Sequence, residues 1–352
     1  MLLKLVEDPE TAYNLTSKEL VSSKLFSLEK CNKIISCRSK NNNYPTYLKN
    51  FCENQKVKII SIFDSEYPQK LRSIANPPLI LYVKGSLDCL KKQGIAIVGS
   101  RKATSYGVKA STLFTEELVK AGLIVISGGA RGIDTSAHQT ALKFGATICV
   151  LGCGIDVTYP AENRTLFQNI ATNGALITEY PPHTPPLARN FPSRNRIIAG
   201  LSDGVLLVEA VQKSGSLITA EFALDEGREI YCIPGNIFTP TSKGVNHLIK
   251  QGAKLVDSPK DILLDFNLEP TLKKASEKQQ SAKMENLFSS LPSEKTNAIK
   301  LIYKTLNNTE AKTLDEIIIA TNLNAQTINK LLFIMLINGY IEEVSGKKYI
   351  RL

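Results

Sequence analysis

The chain has 352 residues, 43% of them hydrophobic and 22% charged, a balance that excludes a disordered or fibrous protein and leaves room for two or three globular domains. A formal net charge of +10 points to a polyanionic partner, nucleic acid or an anionic membrane surface, or simply to well-solvated lysines. The seven cysteines are scattered and never spaced as CxxC, which argues against a disulfide frame or zinc site and for a reducing compartment.

At the N-terminus, Met1-Leu2-Leu3-Lys4-Leu5-Val6-Glu7-Asp8 meets acids too early to supply the apolar core of a signal peptide. No apolar run reaches the roughly 18 residues that span a bilayer, so the expectation is a cytoplasmic protein without membrane insertion. Residues 1–58 combine helix-like stretches, such as Thr16 to Glu29, with the polar Asn41-Asn42-Asn43, and predict a small helical region.

Residues 59–268 alternate β-rich apolar runs with helical stretches. The runs are Ile95 to Val98, Leu123 to Ser127, Thr147 to Leu151, Ala175 to Thr178, Gly204 to Val208 and Glu229 to Ile233. Near-continuous hydrophobicity suits strands buried on both faces, and the alternation predicts a doubly wound parallel sheet of Rossmann-like α/β type. Ligands of such sheets bind outside the carboxyl ends of the strands. The segments found there are Gly99-Ser100-Arg101-Lys102, Gly128-Gly129-Ala130-Arg131, Gly152-Cys153-Gly154 and Lys213-Ser214-Gly215-Ser216. Glycines and helix starts at such places bind anions through free N–H groups, although strand-to-helix turns also use glycine for geometry alone.

Phe191-Pro192-Ser193-Arg194-Asn195-Arg196 is a sharper signal. Arg194 and Arg196 are expected in the first turn of a helix, where cations oppose the helix dipole unless an anionic ligand is present. Phe191 is either a face on which an unpaired base stacks or a core residue. Neither GxxxxGK[ST] nor GxGxxG occurs, so ATP or NAD use is not supported and no cofactor is expected. Glu179, Glu209, Asp134 and Asp156 fall near the same edge, either as acid or base groups or as anchors for arginines. His138 lies one helical turn beyond Asp134 and suggests a histidine–carboxylate contact, structural before catalytic. His183 and His247 form no metal constellation.

Residues 269–290 have the Lys-, Ser- and Gln-rich composition of a flexible linker. Residues 291–352 predict helices over Glu294 to Leu306, Thr313 to Thr321 and Asn324 to Asn338, then a hairpin of Tyr340 to Val344 and Lys348 to Arg351 around Ser345-Gly346. Thr313 with Glu316 forms a capping box at the second helix, and the pattern is that of a winged helix. Its third helix, with Lys330 as its one cation, leaves DNA contact and protein contact both open.

The segments Tyr67-Pro68, Leu81-Tyr82-Val83-Lys84-Gly85, Ile97-Val98-Gly99-Ser100-Arg101, Ser127-Gly128-Gly129-Ala130, Gly132-Ile133-Asp134 and Ala137-His138 run in order through this domain. Gly152-Cys153-Gly154-Ile155-Asp156, Tyr159-Pro160, Glu179-Tyr180-Pro181, Phe191 with Arg194-Asn195-Arg196-Ile197-Ile198, Ser214 to Ala220, Pro234-Gly235 and Gly244-Val245-Asn246 follow. Together they resemble the DNA-processing protein A family, also called Smf, of bacterial transformation and recombination proteins. The resemblance implies an extended Rossmann-like domain that binds single-stranded DNA without nucleotide hydrolysis, protects it, helps load the RecA recombinase and forms a homodimer. It implies that Gly99, Ser100 and Arg101, Gly128 and Gly129, and Phe191 with Arg194, Asn195 and Arg196 form the phosphate pocket and base contacts. Ser214 and Gly215, with Arg164, Arg189 and Lys213 as basic neighbours, complete the implied DNA-binding set.

Two departures stand out. Residues 1–58 lack the glycine-containing helix-hairpin-helix pattern that many members carry, and the weakly basic third helix of the tail leaves its ligand open. The same fold serves nucleotide phosphoribohydrolases of the lysine-decarboxylase-like group. Their PGGxGTxxE signature is echoed by Ser214 to Glu221 without the second glycine or the Gly-Thr step, and this enzyme is the alternative reading.

Overall fold

The structure is a computed structural model that describes residues 6, 8–40, 43–268, 293–307, 311–337, 340–344 and 348–351. The chain divides into two compact units, Met1–Pro270 and Thr271–Leu352. The linker expected over residues 269–290, the Ser345-Gly346 turn and Lys347 lie outside the described residues.

The first unit opens with helices α1 (Pro9–Asn14) and α2 (Ser17–Ser22). Thr16 starts α2 through a capping box: its hydroxyl accepts the Glu19 amide at 3.3 Å, and the Glu19 carboxylate accepts the Thr16 amide at 2.7 Å. The helix does not continue to Glu29 as the sequence suggests. It stops at Ser23, Lys24 turns to a φ of 55°, and the chain restarts as α3 (Leu28–Lys40) and α4 (Tyr44–Gln55).

Next come β1 (Val57–Ser61), a single helical turn α5 (Gln69–Arg72) and β2 (Ile80–Gly85). The six runs expected as strands are β3 (Gly94–Val98), β4 (Ile124–Ser127), β5 (Thr147–Val150), β6 (Ala175–Thr178), β7 (Gly204–Leu207) and β8 (Glu229–Cys232). Between them lie α6 (Ser105–Lys120), α7 (Ile133–Phe144), α8 (Arg164–Asn173), α9 (Asn190–Leu201) and α10 (Gly215–Asp225). The unit closes with α11 (Lys243–Lys250), β9 (Lys254–Leu255) and α12 (Pro259–Asp265).

The sheet order is β1-β2-β6-β5-β4-β3-β7-β8-β9, parallel from β6 to β9. At the far edge β1 and β2 pair antiparallel, and β2 meets β6 antiparallel with Tyr82 opposite Thr178. Alternation along the central strands buries both faces. In β3, Ala96 and Val98 pack into one core and Ile95 and Ile97 into the other. Strand order reverses between β3 and β7, and a crevice at their carboxyl ends follows from this topology.

The second unit contains α13 (Ser293–Thr305), β10 (Lys312–Thr313), α14 (Leu314–Thr321), α15 (Ala325–Ile337), β11 (Ile341–Val344) and β12 (Lys348–Arg351). Thr313 and Glu316 make the expected capping box. The hairpin β11–β12 gains a third strand, since β10 pairs with β12. Ile302, Ile317, Ile328, Leu331 and Met335 close its core. Among the described residues no helix is long and apolar enough to cross a membrane.

Candidate nucleic-acid interface

Three helices begin at the reversal point, after β3, β4 and β7, and each could offer free N–H groups to an anion. Two of these starts are filled from within. At α6 the Glu209 carboxylate, 2% exposed, accepts the Thr104 amide at 2.9 Å and the hydroxyls of Thr104 at 2.5 Å and Thr241 at 3.3 Å. At α7 the first amide, that of Ile133, goes to the Ser100 carbonyl, and in the loop before it the Asp134 carboxylate accepts the amides of Gly128 at 3.1 Å and Ala130 at 3.3 Å. Only α10 opens outward. Its cap Ser214 accepts the Ser216 amide at 3.3 Å, and Gly215 faces open space.

That open start borders a cleft of about 700 Å³ lined by Gly99, Ser100, Arg101 and Lys102 after β3, and by Ser214, Gly215, Ser216 and Thr219 of α10. Phe191, Arg194 and Asn195 of α9 line it as well, with Tyr159 and Thr241. Ser100 folds the first loop by accepting the Lys102 amide at 3.1 Å, and its carbonyl accepts the Ile133 amide at 3.2 Å. The half-buried Phe191 ring is the hub of the wall. The Arg101 guanidinium lies 5.8 Å from its centroid, that of Arg194 lies 6.0 Å away, and the Tyr159 ring sits at 5.4 Å. Such cation–π contacts keep the cations beside the aromatic face without neutralising them.

The arginines of α9 differ from the sequence expectation. The helix begins at Asn190, so Arg194 and Arg196 lie in its second turn and the conflict with the helix dipole does not arise. Arg194 is 4% exposed and donates to the carbonyls of Gly128 at 2.8 Å and of Val150, tying the ends of β4 and β5 together. Burial lowers its pKa, while Asp134 opposes that shift. Burial in turn pushes the Asp134 carboxyl above the usual carboxylate range, against the pull of Arg194 and of the two amides. Arg194 therefore forms part of the cleft floor as a braced group. Arg196 is held by Glu179 in a two-point contact of 2.8 and 2.6 Å.

Gly128 and Gly129 do not line the cleft. A Cβ on Gly128 would stand 2.5 Å from an Arg194 guanidinium nitrogen, so this glycine makes room for the arginine. Gly129, at a φ of 64°, packs against Cys149 and Phe167. The nest expected to hold phosphate is occupied by Asp134. Arg164, Arg189, Arg196 and Lys213 also fall outside the lining.

The suggested His138–Asp134 contact is absent. His138 Nδ1 lies 2.8 Å from the Thr147 hydroxyl, which itself donates to the Val125 carbonyl. Nδ1 must therefore carry the proton. Burial, with Arg194 acting in the same direction, pushes the imidazole down to about 3. Each carboxylate considered as acid or base has another partner: Glu179 holds Arg196, Glu209 the α6 start, Asp134 the Gly128 loop and Asp156 the His183 backbone and ring. Tyr159, Thr219 and Thr241 also line the cleft; the first two fall in the segments that carry the family resemblance, Tyr159-Pro160 and Ser214 to Ala220. Thr241 carried no signal, since only folding brings it beside β7.

Residues 58–267 match the family described as DNA recombination-mediator protein A. The chain is 46% identical over 215 residues to the DNA processing protein DprA of Streptococcus pneumoniae, covering 61% of this chain and 76% of that protein. The X-ray structure of DNA processing protein A from the same species matches with a TM-score of 0.59 at 39% identity, over 72% of this chain and 94% of that one. A structure of DNA processing protein A from Helicobacter pylori, described for its single-stranded DNA binding mode, matches with a TM-score of 0.56 at 30% identity, over 60% and 95% respectively. The matched span includes every loop that builds the cleft, and the chain belongs to the DNA recombination-mediator protein A family.

Proposed function

We propose that the chain is a mediator of DNA recombination that binds single-stranded DNA in the cleft between β3 and β7. The observation that carries this reading is one cleft lined by Arg101, Lys102, the open start of α10 and the half-exposed ring of Phe191, with the Arg101 guanidinium 5.8 Å from that ring. Cations and amide N–H groups suit phosphate, and a flat ring beside them suits an unpaired base. Gly99, Ser100, Arg101, Ser214 and Gly215 take the phosphate in this reading, and Phe191 with Asn195 the base. Arg164, Arg189 and Lys213, which are exposed, guide the strand from outside. The name of the Helicobacter pylori relative supports single strands as the ligand.

The finer role follows the family resemblance: the bound strand is protected and passed to RecA by a homodimer, in natural transformation or recombination. The mediator's role asks for binding and no bond breaking, in keeping with carboxylates that are each committed elsewhere. The test is a titration with labelled poly-dT at two salt concentrations, with duplex as competitor. Tight, salt-sensitive binding that duplex fails to displace is the expected result. Release of free base from a nucleoside monophosphate, or binding indifferent to salt, would sink the proposal.

A further inference from the structure

Glu209, bonded to the cleft-lining Thr241, lines a second depression. Thr104 also donates to this carboxylate. The depression, of about 900 Å³, is lined among others by Tyr106, Pro234, Asn236, Ile237 and Thr239. The β3 loop runs without a break from Arg101 and Lys102 in the cleft to Thr104 and Tyr106 here. The two depressions are therefore neighbours on one sheet edge.

Their chemistry differs. Among the described residues no cation lines the second depression, and the one charged lining residue is the acid Glu209. Phosphate is repelled there and a neutral group is admitted. Its lining residues Tyr106 and Ile237 are 51% and 72% exposed, and Phe238, next in the chain to Ile237, is 85% exposed. This exposure belongs to an ordered loop. Asn236 accepts the Phe238 amide at 2.9 Å through its side chain and the Thr239 amide at 3.0 Å through its carbonyl. Asn246 clamps Gly235 with bonds of 3.2 and 2.9 Å, and the Tyr106 hydroxyl donates to the Pro234 carbonyl at 2.7 Å. Hydrogen bonds thus hold flat and branched apolar groups outward, beside a cationic cleft.

We propose that Tyr106, Ile237 and Phe238 form a stacking platform for unpaired bases of the strand whose phosphates occupy the adjoining cleft, an inference that rests on the single-stranded DNA reading of that cleft. The cleft grips the backbone, and the platform takes the bases of the neighbouring nucleotides. Binding there discriminates a strand with free bases from one without them, independently of Phe191.

The chain has no tryptophan, so Phe238→Trp places a single reporter on the platform. Poly-dT is expected to quench its fluorescence, and an abasic oligomer of equal length is expected to leave it unchanged. Phe238→Ala should lower affinity for poly-dT by about tenfold, within the range of one lost stacking contact, and leave affinity for the abasic oligomer as it was. Arg101→Ala should weaken both oligomers. If the reporter is unquenched and Phe238→Ala binds poly-dT normally while Arg101→Ala still weakens it, the platform is wrong and the cleft stands. If Arg101→Ala changes neither oligomer, the cleft reading itself falls. A change of sedimenting mass in Phe238→Ala with DNA binding intact assigns the patch to contact between copies of the chain and overturns the platform.

Discussion

Two arginines that look alike in the sequence do different work. Arg101 is exposed, on a loop, with one cation–π contact to Phe191. Arg101→Ala should cost about 1.5–3 kcal/mol of single-strand binding, the worth of a charge-assisted contact, and shift stability by less than about 0.5 kcal/mol. Arg194 is a buried cation whose removal frees the Gly128 and Val150 carbonyls and leaves Asp134 without its opposing charge. Arg194→Ala should destabilise the fold by about 3–5 kcal/mol, seen as a large fall in melting temperature beside an unchanged Arg101→Ala. His138 adds a pH signature. Its folded pKa of about 3 lies below the ordinary histidine value of 6.5, so between these values the unfolded state binds more protons. Its stability contribution is intact above pH 6.5 and is lost as pH falls toward 3, by up to about 1.4 kcal/mol per unit. In urea titrations, the penalty of His138→Gln should therefore be larger at pH 7 than at pH 4.5; an equal penalty would contradict the buried neutral imidazole.

Among elements, the helix starts decide where an anion can sit. Glu209 binds the cap residue Thr104 of α6, and Asp134 binds the loop that leads into α7, which leaves α10 as the start open to the cleft. Glu209→Ala removes the acceptor of the Thr104 amide and of two hydroxyls. It should cost about 1–3 kcal/mol in unfolding free energy, and Glu209→Gln, which keeps an acceptor oxygen, should cost less. A second tie links α4 to the cleft's outer loop. The Tyr47 hydroxyl lies 2.5 Å from His183 Nε2, and His183 Nδ1 lies 2.5 Å from Asp156. His183 holds a φ of 63° while its amide donates to the same carboxylate at 2.8 Å. The segment that follows carries Pro186 and Ala188 into the cleft lining. The histidine that seemed isolated in the sequence is a joint between an N-terminal helix and the site.

For the whole molecule, the +10 charge favours approach of a polyanion, as the proposed binding of a single strand requires. Each phosphate engaged on a single strand should contribute about −0.7 to the slope of log K against log salt. Wild type is expected to show a clear negative slope, and Arg101→Ala a slope shallower by roughly one phosphate. Equal slopes would remove Arg101 from the phosphate contacts.

The sequence by itself determined the sheet, because doubly buried strands must be apolar on both faces: the six runs from Ile95 to Ile233 are β3 to β8 with ends shifted by a residue or so. It also determined where to look, since a parallel sheet puts every strand-to-helix loop on one edge. The antiparallel β1–β2 pair was missed because Val57–Ser61 sits at the sheet edge, with a mixed burial pattern. Only the tertiary structure decided which basic and glycine-rich segments reach the cleft. Spacing carries no information on whether a carboxylate six residues on, such as Asp134, already fills a loop, or whether an arginine such as Arg194 turns inward to carbonyls from β4 and β5. Those outcomes depend on contacts between distant segments, and folding fixes them through burial, which drives most polar groups to find a partner.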